Sequence, residues 1–161
     1  MEDTAEPKGS RGGIKRIVVG VDGSEHAAAA LGWAITMAKG MGSEIVAVFA
    51  IAPAVYFDTG YAAPTIPVQF DEQWRADIQK EFEENWCRVL RDAGVKYRTV
   101  IADGRAASVI MEAADQANAD VVIAGRRGRG EVAELLLGSV SHELVLHCKR
   151  PVLVISSLPA R

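Results

Sequence analysis

Thiols are scarce: Cys87 and Cys148 are the only two cysteines in 161 residues. Neither stands in a CxxC or Cys/His spacing, so the reading is two reduced, partly buried thiols, with neither a disulfide nor a metal site. Excess positive charge is missing as well. The net charge is −3, which offers a nucleic acid no global attraction. No apolar run approaches the length of a membrane span. Met1–Gly13 mixes Glu2, Asp3, Glu6, Lys8 and Arg11 with glycine and lacks the apolar core of a signal peptide. A loose tail on a cytoplasmic protein is expected, with no membrane partner.

What remains suits one domain, long enough to bury most of its apolar surface without cross-links. Hydrophobic residues at 49% and charged residues at 24% are ordinary for a globular chain. Five short apolar runs alternate with helical stretches: Arg16–Val21, Glu44–Ile51, Val95–Ile101, Asp120–Gly125 and Pro151–Ser156. Continuous Val/Ile runs indicate strands buried on both faces, as a parallel sheet requires. The third run alternates Val95, Tyr97, Thr99 and Ile101 with Lys96 and Arg98, which suits an edge strand. Ser24 caps a helix to about Lys39, with Ala27, Ala30, Leu31, Ala34, Ile35 and Ala38 on its inner stripe. Phe70, Trp74, Ile78, Phe82, Trp86, Val89 and Leu90 mark a second helix, read as core-facing and ending at Gly94. Arg105–Ala117 and Ser139–His147 are the third and fourth. Ala52–Gln69, with Pro53, Gly60, Pro64 and Pro67, is a connector of the length of a lid or binding loop.

Strands alternating with helices through right-handed crossovers give an α/β fold, a single doubly wound five-stranded parallel sheet. If the chain winds outward through three strands and crosses back beside the first, the order is 3-2-1-4-5. The switch point then lies between the first and fourth strands, where ligands bind outside the carboxyl ends. The segments leaving those strands are Asp22-Gly23-Ser24 and Gly125–Gly130.

After the fourth strand the sequence runs Gly125-Arg126-Arg127-Gly128-Arg129-Gly130, then an apolar spacer with Leu135, Leu136 and Leu137, then Gly138-Ser139-Val140-Ser141. Gly125 and Gly128 are expected to take positive φ and to approach an anion closely. Arg126, Arg127 and Arg129 supply charge for phosphate, with direct contact expected of one or two of them and a solvated patch as the alternative. Gly138-Ser139 opens a helix whose free N–H groups favour an anion, and Ser139 and Ser141 add hydroxyl donors. Rival motifs fail. No lysine follows a glycine at Walker spacing, and too little chain follows Gly128-Arg129-Gly130 for a dinucleotide unit. No pyrophosphatase-type loop precedes Asp22.

Gly125-x2-Gly128-x9-Gly138-Ser139 resembles the nucleotide motif of the universal stress protein family. The opening Ile17-Val-Val-Gly-Val-Asp22-Gly-Ser24 and the ending Arg150-Pro-Val-Leu-Val-Ile155 are similar to that family's ends. The resemblance covers roughly residues 14–157, leaving residues 1–13 and 158–161 as tails. It implies a Rossmann-like fold of the adenine nucleotide alpha hydrolase type and membership of the ATP-binding subgroup. It implies further that Asp22 lies by the adenosine moiety and that a backbone group at Ala50 meets adenine. Gly125 and Gly128 would follow ribose and phosphates, and Ser139, Val140 and Ser141 would hold the phosphate chain, often with Mg²⁺. The implied nucleotide-binding set is Gly20, Val21, Asp22, Ala50, Ala124, Gly125, Arg127, Gly128, Gly138, Ser139, Val140 and Ser141. No protein metal ligand is assigned, with Asp22 the one candidate through Mg²⁺. The dense arginines leave ATP, AMP and cyclic AMP as alternatives.

His142, in the last helix, has no carboxylate or nucleophile arranged with it and is read as a surface residue. His26 and His147 carry no signal, and Glu131 and Glu134 are read as solvent-facing. The last strand, Val152–Ile155, is apolar for an edge and invites a second copy of the chain, which agrees with the homodimers the resemblance implies. The functional expectation is therefore a dimeric nucleotide sensor in a stress response. A slow ATP hydrolase or self-phosphorylating protein, a cyclic-nucleotide binder and a plain interaction module are the alternatives. No catalytic residue is assigned.

Overall fold

The Val/Ile runs become strands, and those at the centre are buried on both faces. β1 (Arg16–Gly20), β2 (Glu44–Ile51), β3 (Tyr97–Asp103), β4 (Val121–Gly125) and β5 (Val152–Ile155) form one parallel sheet in the order β3-β2-β1-β4-β5. This is the order expected from the sequence. The computed structural model describes residues 13–51, 72–128 and 137–156. The tail up to Gly12, the connector Ala52–Gln69, Phe70, Arg129, Glu131, Glu134, Leu135, Leu136 and residues 158–161 lie outside the described residues.

Because side chains alternate along a strand, each central strand feeds two cores. Ile17, Val19, Ile45, Ala47 and Ile123 face α1 (Glu25–Met41), where Ala30, Leu31, Ala34 and Ala38 are buried. Val18, Val46, Val48, Val122 and Ala124 face the other layer. That layer holds Ala107, Ile110, Ala113 and Ala114 of α4 (Ala106–Gln116) and Leu144 of α5 (Ser139–His147). At the amino end of the sheet the Asp120 carboxylate accepts the Lys15 and Arg16 N–H groups at 2.8 and 2.9 Å. That contact fixes where β1 begins beside β4.

The second helical stretch departs from expectation. It is not one helix but α2 (Glu72–Lys80), a π-helical turn (Glu81–Trp86) and α3 (Arg88–Asp92). The Cys87 N–H donates to the Phe82 carbonyl at 2.9 Å, five residues back. The reason lies in the spacing. Trp74, Ile78, Phe82, Trp86 and Leu90 recur every four residues, and such a stripe drifts about 40° per step around an α-helix. One wide turn removes part of that drift. Phe82 and Leu90 are consequently both fully buried, while Val89, read from the sequence as core-facing, stands exposed. Phe49 of β2 packs on Phe82 (ring centroids 5.8 Å apart) and edge-on against Trp86 (5.2 Å). Gly94 ends the stretch at φ +66°, a left-handed position that favours glycine.

Cys87 fills the space behind the π-helical turn with no exposed surface. Burial, reinforced by Glu83, pushes its thiol up to about 12. The buried thiol therefore stays protonated near neutral pH, out of reach of a reagent. Cys148 is half-buried and also free. We expect a thiol reagent to label Cys148 in the folded protein and Cys87 only after unfolding. Equal labelling rates for the two would contradict this packing.

Candidate functional site

β1 and β4 are neighbours whose chains leave in opposite senses around the sheet, so their carboxyl ends part at the switch point. A cavity of about 240 Å³ opens there. All twelve residues put forward from the sequence border it: Gly20, Val21, Asp22, Ala50, Ala124, Gly125, Arg127, Gly128, Gly138, Ser139, Val140 and Ser141. The sequence reading did not assign Ala27, Val48, Phe49, Ala106 and Ile110 to the site, and they complete the wall. Part of that signal was present. Ala106 and Ile110 are four apart at the start of the helix that must begin at the same sheet edge.

Each wall follows from local structure. The Val48 carbonyl accepts the Val21 N–H at 2.8 Å, while the Ile51 carbonyl accepts from Gly104 at 2.9 Å. Even-numbered residues of β2 thus turn their backbone groups toward β1, and odd-numbered ones toward β3. β1 ends at Gly20, opposite Val48. Ala50, two residues further on, therefore presents its N–H and C=O past the end of β1, toward the cavity.

Two of the helices that start at this edge, α1 and α5, differ at their amino ends. α1 is closed: the Ser24 hydroxyl accepts the Ala27 N–H at 3.2 Å, and the Asp22 carboxylate accepts the Ser24 N–H at 3.0 Å. α5 is open, for the residue ahead of it is Gly138, which has no side chain with which to cap. The Gly138 N–H goes to the Arg126 carbonyl at 2.8 Å. The amides of Ser139, Val140 and Ser141 are the first-turn donors that lack intrahelical partners, and they carry the positive end of the helix dipole. Ser139 is exposed and Ser141 is only 1% exposed. On the same side of the sheet, Arg105 ahead of α4 donates to Glu143 of α5 at 3.0 Å, tying the two flanking helices together.

The glycines work differently from expectation. Neither Gly125 nor Gly128 has positive φ; among the described glycines that conformation belongs to Gly23, Gly42, Gly94 and Gly104. What these positions require is room. A Cβ at Gly125 would lie 2.6–2.7 Å from the backbone and Cβ of His26, and one at Gly128 would lie 2.6 Å from Asp22 Oδ2. At Gly138 it would meet Arg127 Cα at 3.2 Å. The arginines divide as well. Arg127 is on the cavity wall, whereas Arg126 is not. The Arg126 N–H donates to the Ile155 carbonyl at 2.6 Å. His142 is exposed, as expected. Among the described residues no three His, Cys, Asp or Glu side chains come together as a metal cluster.

A parallel sheet wound both ways, with an open helix end and an acidic residue meeting at its switch point, defines a Rossmann-like α/β domain. The chain belongs to the universal stress protein family, whose sequence profile matches residues 13–156. It is 28% identical over 146 residues to the universal stress protein YxiE of Bacillus subtilis, covering 88% of this chain and 99% of that one. Among solved structures it superposes on the universal stress protein UspA from Lactobacillus plantarum with a TM-score of 0.72, at 22% identity over 89% and 98% of the two chains. A universal stress protein in complex with cAMP gives 0.67, at 22% identity over 91% and 99%. One from Archaeoglobus fulgidus in complex with dAMP gives 0.62, at 20% identity over 88% and 97%. No helix of the described residues is long and apolar enough to cross a membrane.

Proposed function

We propose that this chain binds an adenine nucleotide, ATP foremost, in the switch-point cavity and acts as a nucleotide-dependent regulator in the stress response. One observation carries the reading: the open amino end of α5 and the Asp22 carboxylate border the same cavity. A phosphate chain suits the amides of Ser139, Val140 and Ser141, with the Arg127 guanidinium adding charge. Asp22 suits the ribose hydroxyls, as an acceptor between the phosphate end and the base. The base end is supplied by Ala50, whose N–H and C=O give one donor and one acceptor side by side. Apolar Val48, Ala106 and Ile110 line the cavity with them. Mg²⁺ would arrive on the phosphate oxygens. Asp22 is the acidic side chain on the wall, with Oδ1 already accepting the Ser24 amide.

The functional unit is residues 14–157, working as a homodimer in the cytoplasm, where the two free thiols stay reduced. β5 supports the dimer: it is an edge strand on which Val152, Leu153 and Val154 are only partly buried, so a second copy can pair there. Solved relatives holding cAMP and dAMP favour a second reading, in which a monophosphate is the preferred ligand. Equilibrium dialysis of the refolded, nucleotide-free full chain decides the matter. We expect ATP to be retained, and displacement by AMP and cAMP ranks the three. Failure of every adenine nucleotide to bind at millimolar concentration would sink the reading. Sedimentation of the same sample is expected to give twice the chain mass.

A further inference from the structure

The two serines at the start of α5 are both hydroxyls on the cavity wall, yet the structure uses them differently. Ser141 Oγ lies 2.9 Å from the Arg126 carbonyl oxygen and 3.0 Å from the Gly138 carbonyl oxygen. Both neighbours are acceptors only, so the single hydroxyl proton is committed to them. The side chain is buried to 1%. Among the described residues the Ser139 side chain has no hydrogen-bond partner, and it is exposed. The Arg126 carbonyl also accepts the Gly138 N–H at 2.8 Å, and the Gly138 carbonyl accepts the His142 N–H at 2.9 Å, the first rung of α5. Arg126, Gly138 and Ser141 therefore form a closed clasp between the end of β4 and the first turn of α5. It joins the two ends of the loop that runs from Gly128 to Gly138.

We infer that Ser141 is a positioning residue: its hydroxyl fixes the open amino end of α5 against the strand β4 loop, and only Ser139 gives its hydroxyl to the ligand. This rests on the nucleotide reading above. The physical reason is preorganisation. Amides from α5 and charge from Arg127 act on one phosphate group only if their separation is set before the ligand arrives. The clasp sets that separation with two donors on one carbonyl. A hydroxyl that instead turned to the phosphate would leave both carbonyls.

The test uses the full chain with Ser141→Ala and, separately, Ser139→Ala. In nucleotide-free protein we expect Ser141→Ala to speed hydrogen exchange at the Gly138 amide by roughly fivefold, the scale of one lost hydrogen bond. Ser139→Ala should leave that exchange unchanged. By calorimetry, Ser141→Ala should weaken ATP and AMP by roughly tenfold while adenosine stays within about twofold, because only phosphate meets the clasped end. A generally damaged fold would weaken all three alike and overturns the proposal. Lost ATP affinity with unchanged Gly138 exchange makes Ser141 a direct ligand, and also overturns it. Faster exchange with unchanged ATP affinity makes the clasp structural only, with the same consequence. A wild-type chain that binds no adenine nucleotide is a different failure. It removes the nucleotide reading and the positioning role together, and it is recognised before any variant is made.

Discussion

Gly125→Ala is expected to destabilise the protein by about 3 kcal/mol, the upper end for overpacking a close contact. The glycine ends β4 directly beneath the first turn of α1, and an added Cβ meets His26 C, O and Cβ at 2.6–2.7 Å. Backbone cannot rotate out of the way. Nor can the helix slide, because its start is fastened by the Ser24 cap and by Asp22 on the Ser24 amide. Gly20→Ala is the matched control. There the Cβ meets Ile110 Cδ1 at 2.7 Å, the far end of a flexible side chain, and a rotamer change relieves it. A cost of about 1 kcal/mol or less is expected for it, against typical native stabilities of about 5–15 kcal/mol. Urea unfolding with unchanged m-values reads both, and thermal melting should show Gly125→Ala lower by about 10 °C. If the two variants melt together, the helix is not held as closely on β4 as the distances state.

How much of this was written in the chain depends on the range of the cause. The central strands were legible because burial on both faces leaves an uninterrupted Val/Ile run, the third because its alternation marks an edge, and the order because short strands that alternate with helices admit few windings. α1 was legible from Ser24 and from an alanine stripe that the structure buries at Ala27, Ala30, Leu31, Ala34 and Ala38. The π-helical turn was missed although its cause was in view: five apolar residues at an unbroken spacing of four are wound too wide for an ideal α-helix. The residues that the family resemblance implies for the site lie around one cavity. Their reasons were not all found. Gly125 was expected to need positive φ, whereas it needs the space occupied by His26, a residue far away in sequence. Ser141 was read as a hydroxyl donor for phosphate, and the structure sets its hydroxyl on two carbonyls, one of them that of Arg126, fifteen residues back. A local pattern can name a position without revealing which distant atom constrains it.

Gly128 gives the sharpest case, and its effect should fall on binding. The space a Cβ would need is held by Asp22 Oδ2, 2.6 Å away, while Asp22 Oδ1 accepts the Ser24 amide. An alanine at 128 has an allowed backbone conformation, since φ there is not positive. The carboxylate must therefore yield, turning away from the cavity or releasing the Ser24 N–H. We expect Gly128→Ala to cost about 1 kcal/mol in stability, comparable with one displaced hydrogen bond. Its nucleotide affinity should fall by roughly a hundredfold, because a charge-assisted hydrogen bond is worth about 1.5–3 kcal/mol. The decisive measurement is a double-mutant cycle with Asp22→Ala, which itself should weaken binding to a similar degree. If the glycine exists to make room for Asp22, then Gly128→Ala adds almost nothing once the carboxylate is gone, and the two effects are far from additive. If it exists to bring the backbone against the ligand, as the sequence alone suggested, the two losses sum. Calorimetry on the four proteins separates these outcomes, because the expected coupling of roughly 2.7 kcal/mol, the whole of the hundredfold loss, well exceeds the departure of about 0.5 kcal/mol tolerated for independent sites.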